Sequence, residues 1–114
     1  MSVMHEDKTF KQKIKKLCLN ALEELKAQNI KTLNVEKSSS FTSIIIIATG
    51  TSNRHIQSIS DKVFKNLKES QFDIIGKEGS DSNEWVLIDA GEVLVNIMSG
   101  ESREHYDLES LWER

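Results

Sequence analysis

The sequence predicts a single α/β domain with a mixed, mostly parallel sheet of about five strands, flanked by helices. Two amphipathic segments repeat their apolar residues at helical spacing, and five shorter segments have the length and β-branched content of strands. The predicted order is α-β-β-α-β-β-β-α. Because no repeat, proline or linker divides the 114 residues, we expect one domain over residues 1–114, with an ordered core at about 9–112.

The first half of the chain predicts one helix and two strands. Helical spacing of apolar residues over Thr9–Gln28 predicts an amphipathic helix, which Asp7 or Thr9 could cap. Alternating apolar residues predict a short strand at Ile30–Val35. The run Phe41–Thr49 is apolar and β-branched on both faces, which is typical of a central strand covered on both sides.

A second helix is predicted after the central strand, with Ser52 or Asn53 as its N-cap and an end near Ser70. The segment Phe72–Lys77 follows as a strand. Two strands joined through a helix predict a right-handed crossover with parallel pairing.

A hairpin and a short helix complete the predicted fold. After a loop at Glu78–Asn83, the segments Glu84–Asp89 and Glu92–Met98 form strands joined by the tight turn Ala90–Gly91. Ser102 could cap a short final helix.

Charge is unevenly distributed along the chain. The net charge is −3, but residues 1–83 carry 13 Lys and Arg against 10 Asp and Glu, whereas residues 84–114 carry 2 against 8. Phosphate repels carboxylates, so this acidic end argues against nucleic acid as its direct partner. The balance favours a basic protein partner or, equally, a solvated surface with no partner.

Composition predicts a soluble cytoplasmic protein. The single cysteine, Cys18, cannot form an internal disulfide, and it lies on the apolar stripe of the first helix, which favours a buried structural thiol. The first ten residues lack the apolar core of a signal peptide. The run Ile44–Ala48 is far shorter than the roughly 20 residues that span a bilayer.

A phosphate-handling or metal-dependent enzyme is the main alternative. Nucleotidyltransferases place a Gly-Ser turn before a helix and a pair of metal-binding carboxylates two residues apart on a later strand. This chain has Gly50 and Ser52, but Asp89 and Glu92 are three residues apart across a turn. The architecture therefore resembles a nucleotidyltransferase core without the catalytic carboxylate pair. A lone glycine after a strand more often only makes the turn.

No cofactor or metal is expected. The histidines, His5, His55 and His105, are far apart in the sequence and have no second ligand at metal-binding spacing. Both tryptophans, Trp85 and Trp112, lie in the acidic C-terminal segment. Aromatic residues dominate binding hot spots, although these two could also simply complete a small core.

Four sequence blocks follow one another in order: IIIIATGTSNRHIQSISDKV, EGSDSNEWVLID, AGEVLVNIM and REHYDLESLW. Their succession and spacing resemble the Iojap family of ribosomal silencing factors over nearly the whole chain, and the last block is the most specific. Two positions depart from the family pattern: Ser43 stands where aspartate is common, and Asn96 where histidine is common.

The resemblance implies a translational repressor without catalytic activity. Such a protein binds the large ribosomal subunit through its ribosomal protein number fourteen and sterically blocks the small subunit from joining, notably under nutrient limitation. It implies either a monomer or a homodimer.

The partner-binding residues we predict lie between Trp85 and Trp112. We expect apolar contact from Trp85, Val95 and Met98. A second group of residues either extends that apolar patch or braces it. A third group, of acidic residues, pairs with Lys or Arg of the partner. Asn96 could touch the partner as well. The second group is Tyr106, Leu108, Leu111 and Trp112, and the third is Asp89, Glu92 and Glu109.

Overall fold

The computed structural model describes residues 3–40, 42–79 and 84–112, and it describes side chains from Phe10 onward. Residues 80–83 of the predicted loop and Phe41, the first residue of the predicted central strand, lie outside the described residues. The elements in chain order are α1 (Val3–Glu24), β1 (Gln28–Asn34), β2 (Ile44–Gly50), α2 (Asn53–Glu69), β3 (Gly76–Glu78), β4 (Trp85–Asp89), β5 (Val93–Ser99), α3 (Gly100–Tyr106) and α4 (Leu108–Trp112).

The five strands form one mixed sheet in the order β1-β2-β5-β4-β3. The α/β class and the five-stranded mixed sheet are confirmed, but the prediction that most strand pairs are parallel is wrong. Only β2 and β5 pair in parallel; the other three pairs are antiparallel. The predicted parallel pairing of β2 with β3 is also wrong. These strands run in the same direction, but the β4–β5 hairpin lies between them.

One face of the sheet is covered by α1 and α2. Helix α2 buries Ile56, Ile59, Val63 and Leu67 completely, as its helical spacing predicts. The buried residues of α1 and alternate residues of β2, β4 and β5 complete this core. They are Ile14, Cys18, Ala21, Leu22, Ile44, Ile46, Ala48, Val86, Ile88, Val93, Val95 and Ile97.

The opposite face is covered only in part. Ile45 and Ile47 of β2 pack there with Met98 of β5, and Leu108 and Trp112 of α4 lie against this second cluster. Every residue of β2 is buried, which confirms the prediction of a central strand covered on both sides. The cover over β2 does not extend to β4, where the exposure alternates along the strand.

Several element boundaries differ from the predictions. Helix α1 begins at Val3 rather than near Thr9, so neither predicted cap residue caps it, and it ends at Glu24. Strand β3 is only Gly76–Glu78, because Phe72 and Ile74 pack on the helix-covered core before the ladder to β4 begins. Its short length leaves little unpaired sheet edge.

The C-terminal segment forms two short helices rather than one. Ser99 caps α3, and its Oγ accepts a hydrogen bond from the Ser102 amide at 3.0 Å. Ser102 is therefore inside the helix and is not the cap that the sequence predicted. Asp107 adopts a left-handed conformation (φ 46°) that ends α3 and allows α4 to begin in a new direction.

Cys18 is a buried thiol in the helix-covered core. Its side chain is fully buried, and desolvation raises the pKa of the thiol to about 12. The structure thus confirms the prediction of a structural thiol. None of the described helices has the length and apolar character needed to cross a bilayer.

We expect Ser60→Ala to stabilise the protein. The Ser60 side chain is fully buried on α2, and its hydroxyl has no hydrogen-bond partner among the described residues. A buried, unsatisfied hydroxyl costs about 1–3 kcal/mol, so removing it should raise the free energy of unfolding by about 1 kcal/mol. Urea denaturation would measure this. The control is Ser58→Ala, at an exposed position of the same helix, which should gain only about 0.5 kcal/mol from helix propensity.

Candidate partner-binding face

The sheet face opposite α1 and α2 is partly open to solvent along β4. Residues two apart on a strand share a face, so Trp85, Leu87 and Asp89 lie together, and Leu94 pairs with Asp89 across the hairpin. Each of these four side chains is half-buried, and Tyr106 beside them is 55% exposed. We call these five residues the open face.

Trp85 is held in one orientation on this face. Its indole Nε1 donates a hydrogen bond to Asn96 Oδ1 at 2.9 Å, and Asn96 itself is buried. The Tyr106 ring lies 4.8 Å from the Trp85 ring, centroid to centroid, at 46°. Because its only polar atom is already satisfied inside the protein, Trp85 offers a fixed apolar ring surface.

A groove of about 420 Å³ runs beside the two rings, between β4 and α3. Its lining includes the carboxylate side chains of Glu78 and Glu84, both of which are exposed. Leu87 and Ser102 line it as well. The groove therefore combines aromatic and apolar walls with two carboxylates.

Asp89 and Glu92 lie beside the hairpin turn, where each makes an internal hydrogen bond. Asp89 Oδ1 accepts from the Gly91 amide at 2.9 Å, and the Glu92 carboxylate accepts from Ser43 Oγ. An aspartate at position 43 would bring a second carboxylate to Glu92, so serine suits this neighbour better. Glu92 remains exposed and Asp89 half-exposed, and their pairing with a partner stays a prediction.

Glu109 does not have the environment that we predicted. Both of its carboxylate oxygens are bound by Arg103, whose Nε lies 3.0 Å and Nη2 3.3 Å away. The same guanidinium donates to Thr49 Oγ1 at 3.0 Å and to the Asn29 carbonyl. This internal pair weakens the case for the predicted pairing of Glu109 with Lys or Arg of the partner, which stays a prediction.

Val95 and Met98 are also placed differently from the prediction. Both side chains are fully buried, Val95 in the core under the helices and Met98 in the second core cluster. No partner can touch them while the sheet is intact, so their direct apolar contact is ruled out. Asn96 is 2% exposed and acts on the surface only through Trp85.

The C-terminal residues divide into two groups. Leu108 and Trp112 pack against the second core cluster and brace the sheet. Tyr106 and Leu111 are 55% and 54% exposed. The packing of the first pair favours the bracing role, and the second pair is accessible; whether Tyr106 and Leu111 touch a partner stays a prediction.

The Thr-Gly-x-Ser-x-x-His block has structural contacts throughout. Ser52 caps α2, and its Oγ accepts from the His55 amide at 3.0 Å. One His55 ring nitrogen lies 2.8 Å from the Thr51 amide and the other 2.7 Å from the Leu25 carbonyl, which ties α2 to the end of α1. At Gly50, an added Cβ would lie 2.5 Å from Ile56 Cγ1. These contacts favour the interpretation of Gly50 as a turn and packing residue.

We expect Gly50→Ala to lower the free energy of unfolding by about 1–3 kcal/mol, because the new methyl overlaps a buried isoleucine on α2. Gly76→Ala is a matched control, since nothing lies within 4 Å of its added Cβ. Thermal unfolding of both variants would test this difference. Equal melting temperatures would contradict a packing role for Gly50.

The residues of the enzyme alternative are not brought together. Gly50 pairs with Ser99 at one end of the sheet, whereas Asp89 pairs with Leu94 at the other. Their partners Ser99 and Leu94 are five residues apart on β5, so Gly50 and Asp89 are separated by roughly 16 Å along the sheet. No group of three metal-binding side chains occurs within residues 10–40, 42–79 and 84–112. The candidate site Gly50, Ser52 and Asp89 is therefore not assembled.

Three useful residues were missed from the sequence. Leu87 follows from the alternation in Trp85–Asp89, which places it beside Trp85. Glu84 directly precedes Trp85, and Glu78 joins the same groove through the β3–β4 ladder, which the sequence did not predict.

These features define a two-layer α/β domain with an aromatic and acidic open face. The family model described as "Ribosomal silencing factor during starvation" matches residues 8–114. The ribosomal silencing factor RsfS of Chromobacterium violaceum is 45% identical over 101 residues, covering 89% of this chain and 83% of that protein.

Two crystal structures have the same fold. A protein from Chromobacterium violaceum superposes with a TM-score of 0.88 at 44% identity, covering 90% of this chain and 85% of that one. A protein from Bacillus halodurans superposes with a TM-score of 0.81 at 33% sequence identity, covering 89% of this chain and 94% of that one. The chain belongs to the ribosomal silencing factor family, and the resemblance to the Iojap-type factors is confirmed.

Proposed function

We propose that this protein is a translational repressor that binds the large ribosomal subunit through ribosomal protein number fourteen. In this proposal it occupies a surface that the small subunit needs, and translation slows under nutrient limitation. Family membership supports the coarser role of a ribosome-associated regulator of translation. The observation that carries the finer proposal is the open face, where a fixed tryptophan and an exposed tyrosine lie among carboxylates.

The chemistry of the open face fits a basic protein better than RNA. Exposed aromatic rings supply contact area at low entropic cost, and such residues are enriched in binding hot spots. Four carboxylates lie near them, on β3, just before β4, at the end of β4 and in the hairpin turn: Glu78, Glu84, Asp89 and Glu92. Their negative field attracts cationic side chains and repels phosphates.

The proposal is tested first with the unmodified protein. Purified large subunits should carry it into the pellet, and addition of the protein should slow subunit joining, as measured by light scattering. If it neither co-sediments nor slows joining, the proposed function is wrong.

Removing two charges from the turn should weaken this binding. The double variant Asp89→Asn and Glu92→Gln keeps an oxygen that can accept the hydrogen bonds from Gly91 and Ser43, but it loses both negative charges. Exposed ion pairs contribute about 0.2–1 kcal/mol each, so affinity should fall about twofold to thirtyfold and depend less on salt.

The matched control for this prediction is the double variant Glu23→Gln and Glu69→Gln. It changes the net charge equally, but on exposed positions of α1 and α2. If both double variants bind equally well, Asp89 and Glu92 have no specific role at the interface.

A homodimer that uses the aromatic end is the second arrangement to test. Sedimentation of the free protein across a concentration series would detect it. Trp112 is half-buried against the second core cluster, so Leu111→Ala is a better surface variant than Trp112→Ala for that experiment.

A further inference from the structure

The groove between β4 and α3 has the composition of a receptor for one cationic side chain. It is lined by the aromatic residues Trp85 and Tyr106, by the exposed acidic residues Glu78 and Glu84, and by Leu87 of β4. Neither carboxylate is in an ion pair or hydrogen bond with any residue of the ranges that the structure describes. This differs from Asp89, Glu92 and Glu109, whose carboxylates are bound internally.

We propose that this groove receives an arginine side chain of the basic protein partner, an inference that rests on the proposed function. A guanidinium is planar, so its flat face can stack on the exposed Tyr106 ring while its edge donates hydrogen bonds to a carboxylate. The groove supplies both surfaces within about 420 Å³, which is enough for one long side chain.

The geometry favours arginine because the rings are already fixed. Trp85 is held by its 2.9 Å hydrogen bond to Asn96, and Tyr106 lies against it at 4.8 Å. A preorganised aromatic wall loses little entropy when a ligand binds. Lysine is a strongly hydrated point charge without a flat face, so it would gain less from the same wall.

The experiment uses the full chain and three capped tripeptides of the form Gly-X-Gly, in which X is arginine, lysine or citrulline. Citrulline has nearly the shape of arginine but no charge. The indole N–H signals of Trp85 and Trp112 are followed by NMR during each titration, and Trp112 serves as an internal reference because it lies outside the groove.

The arginine peptide should shift the Trp85 indole signal and leave that of Trp112 unchanged. Lysine should bind more weakly, and citrulline should have no effect at the same concentration. The double variant Glu78→Gln and Glu84→Gln should weaken arginine binding about threefold to tenfold. The charge-matched control, Glu23→Gln with Glu69→Gln, should bind like the unmodified protein. Equal shifts from citrulline, or an unchanged affinity in the groove variant, would overturn the inference.

Co-sedimentation with large subunits separates this inference from the proposed function. If the unmodified protein binds and the groove variant binds equally well, the groove inference is wrong while the proposed function stands. If the groove variant binds less and the control does not, both are supported. If the unmodified protein does not bind at all, the proposed function fails, and the arginine receptor on a ribosomal partner fails with it.

Discussion

Tyr106→Ala should weaken binding to the large subunit at least thirtyfold while leaving the fold intact. The side chain is 55% exposed and contacts the Trp85 ring at 4.8 Å, so it contributes to the surface far more than to the core. Truncating a central aromatic hot spot costs about 2 kcal/mol or more, which is roughly thirtyfold in affinity. Quantitative co-sedimentation would measure this loss.

Two comparisons make the Tyr106 result specific. Phe10→Ala removes an aromatic ring that is 45% exposed on the helical layer, against Phe72, and it should not change binding. Tyr106→Phe keeps the ring and should retain most of the affinity. Comparable losses for Tyr106→Ala and Phe10→Ala would show that exposed aromatic area, rather than the open face, governs binding.

The helices and the strand types were predictable because their signals are local. The spacing of Ile56, Ile59, Val63 and Leu67 fixes which side of α2 is buried, and all four are fully buried. The turn after β2 is local too, and α2 is capped by Ser52, one of the two predicted N-cap residues. Such patterns depend only on residues a few positions apart.

Sheet order was not predictable in the same way. The parallel pairing of β2 with β5 joins strands that are more than forty residues apart, for example Ile45 with Leu94. A strand–helix–strand order gave only the direction of β3, because the later hairpin inserts between β2 and β3. Long-range pairing depends on which apolar faces fit together, and no short segment contains that information.

The candidate site shows the same difference between local features, which the sequence predicts, and long-range contacts, which it does not. The sequence indicated the segment that contains the open face, because both tryptophans, the single tyrosine and the excess of acidic charge lie from Glu84 onward; its contact with a partner stays a prediction. It could not separate Tyr106, which is exposed, from Met98, which is buried. It also could not show that Glu109 is bound by Arg103, since that contact depends on the change of direction between α3 and α4.

Arg103→Ala should lower the free energy of unfolding by about 2–4 kcal/mol, the largest stability effect that we expect from a single polar side chain. The Arg103 side chain is only 12% exposed and Glu109 24%, so the variant leaves a largely desolvated carboxylate without its partner. It also leaves Thr49 Oγ1 and the Asn29 carbonyl without this donor. Chemical denaturation would measure the loss.

The comparison variants test how the guanidinium acts. Arg103→Lys keeps the charge but cannot bind both Glu109 oxygens and Thr49 together, so it should recover only part of the stability. Lys62→Ala, which breaks the more exposed pair with Glu24 at 3.5 Å, should cost less than about 1 kcal/mol. A double-mutant cycle of Arg103→Ala with Glu109→Ala should give a coupling energy above 1 kcal/mol. A coupling near zero would mean that the ion pair between Arg103 and Glu109 does not hold α3 and α4 in place.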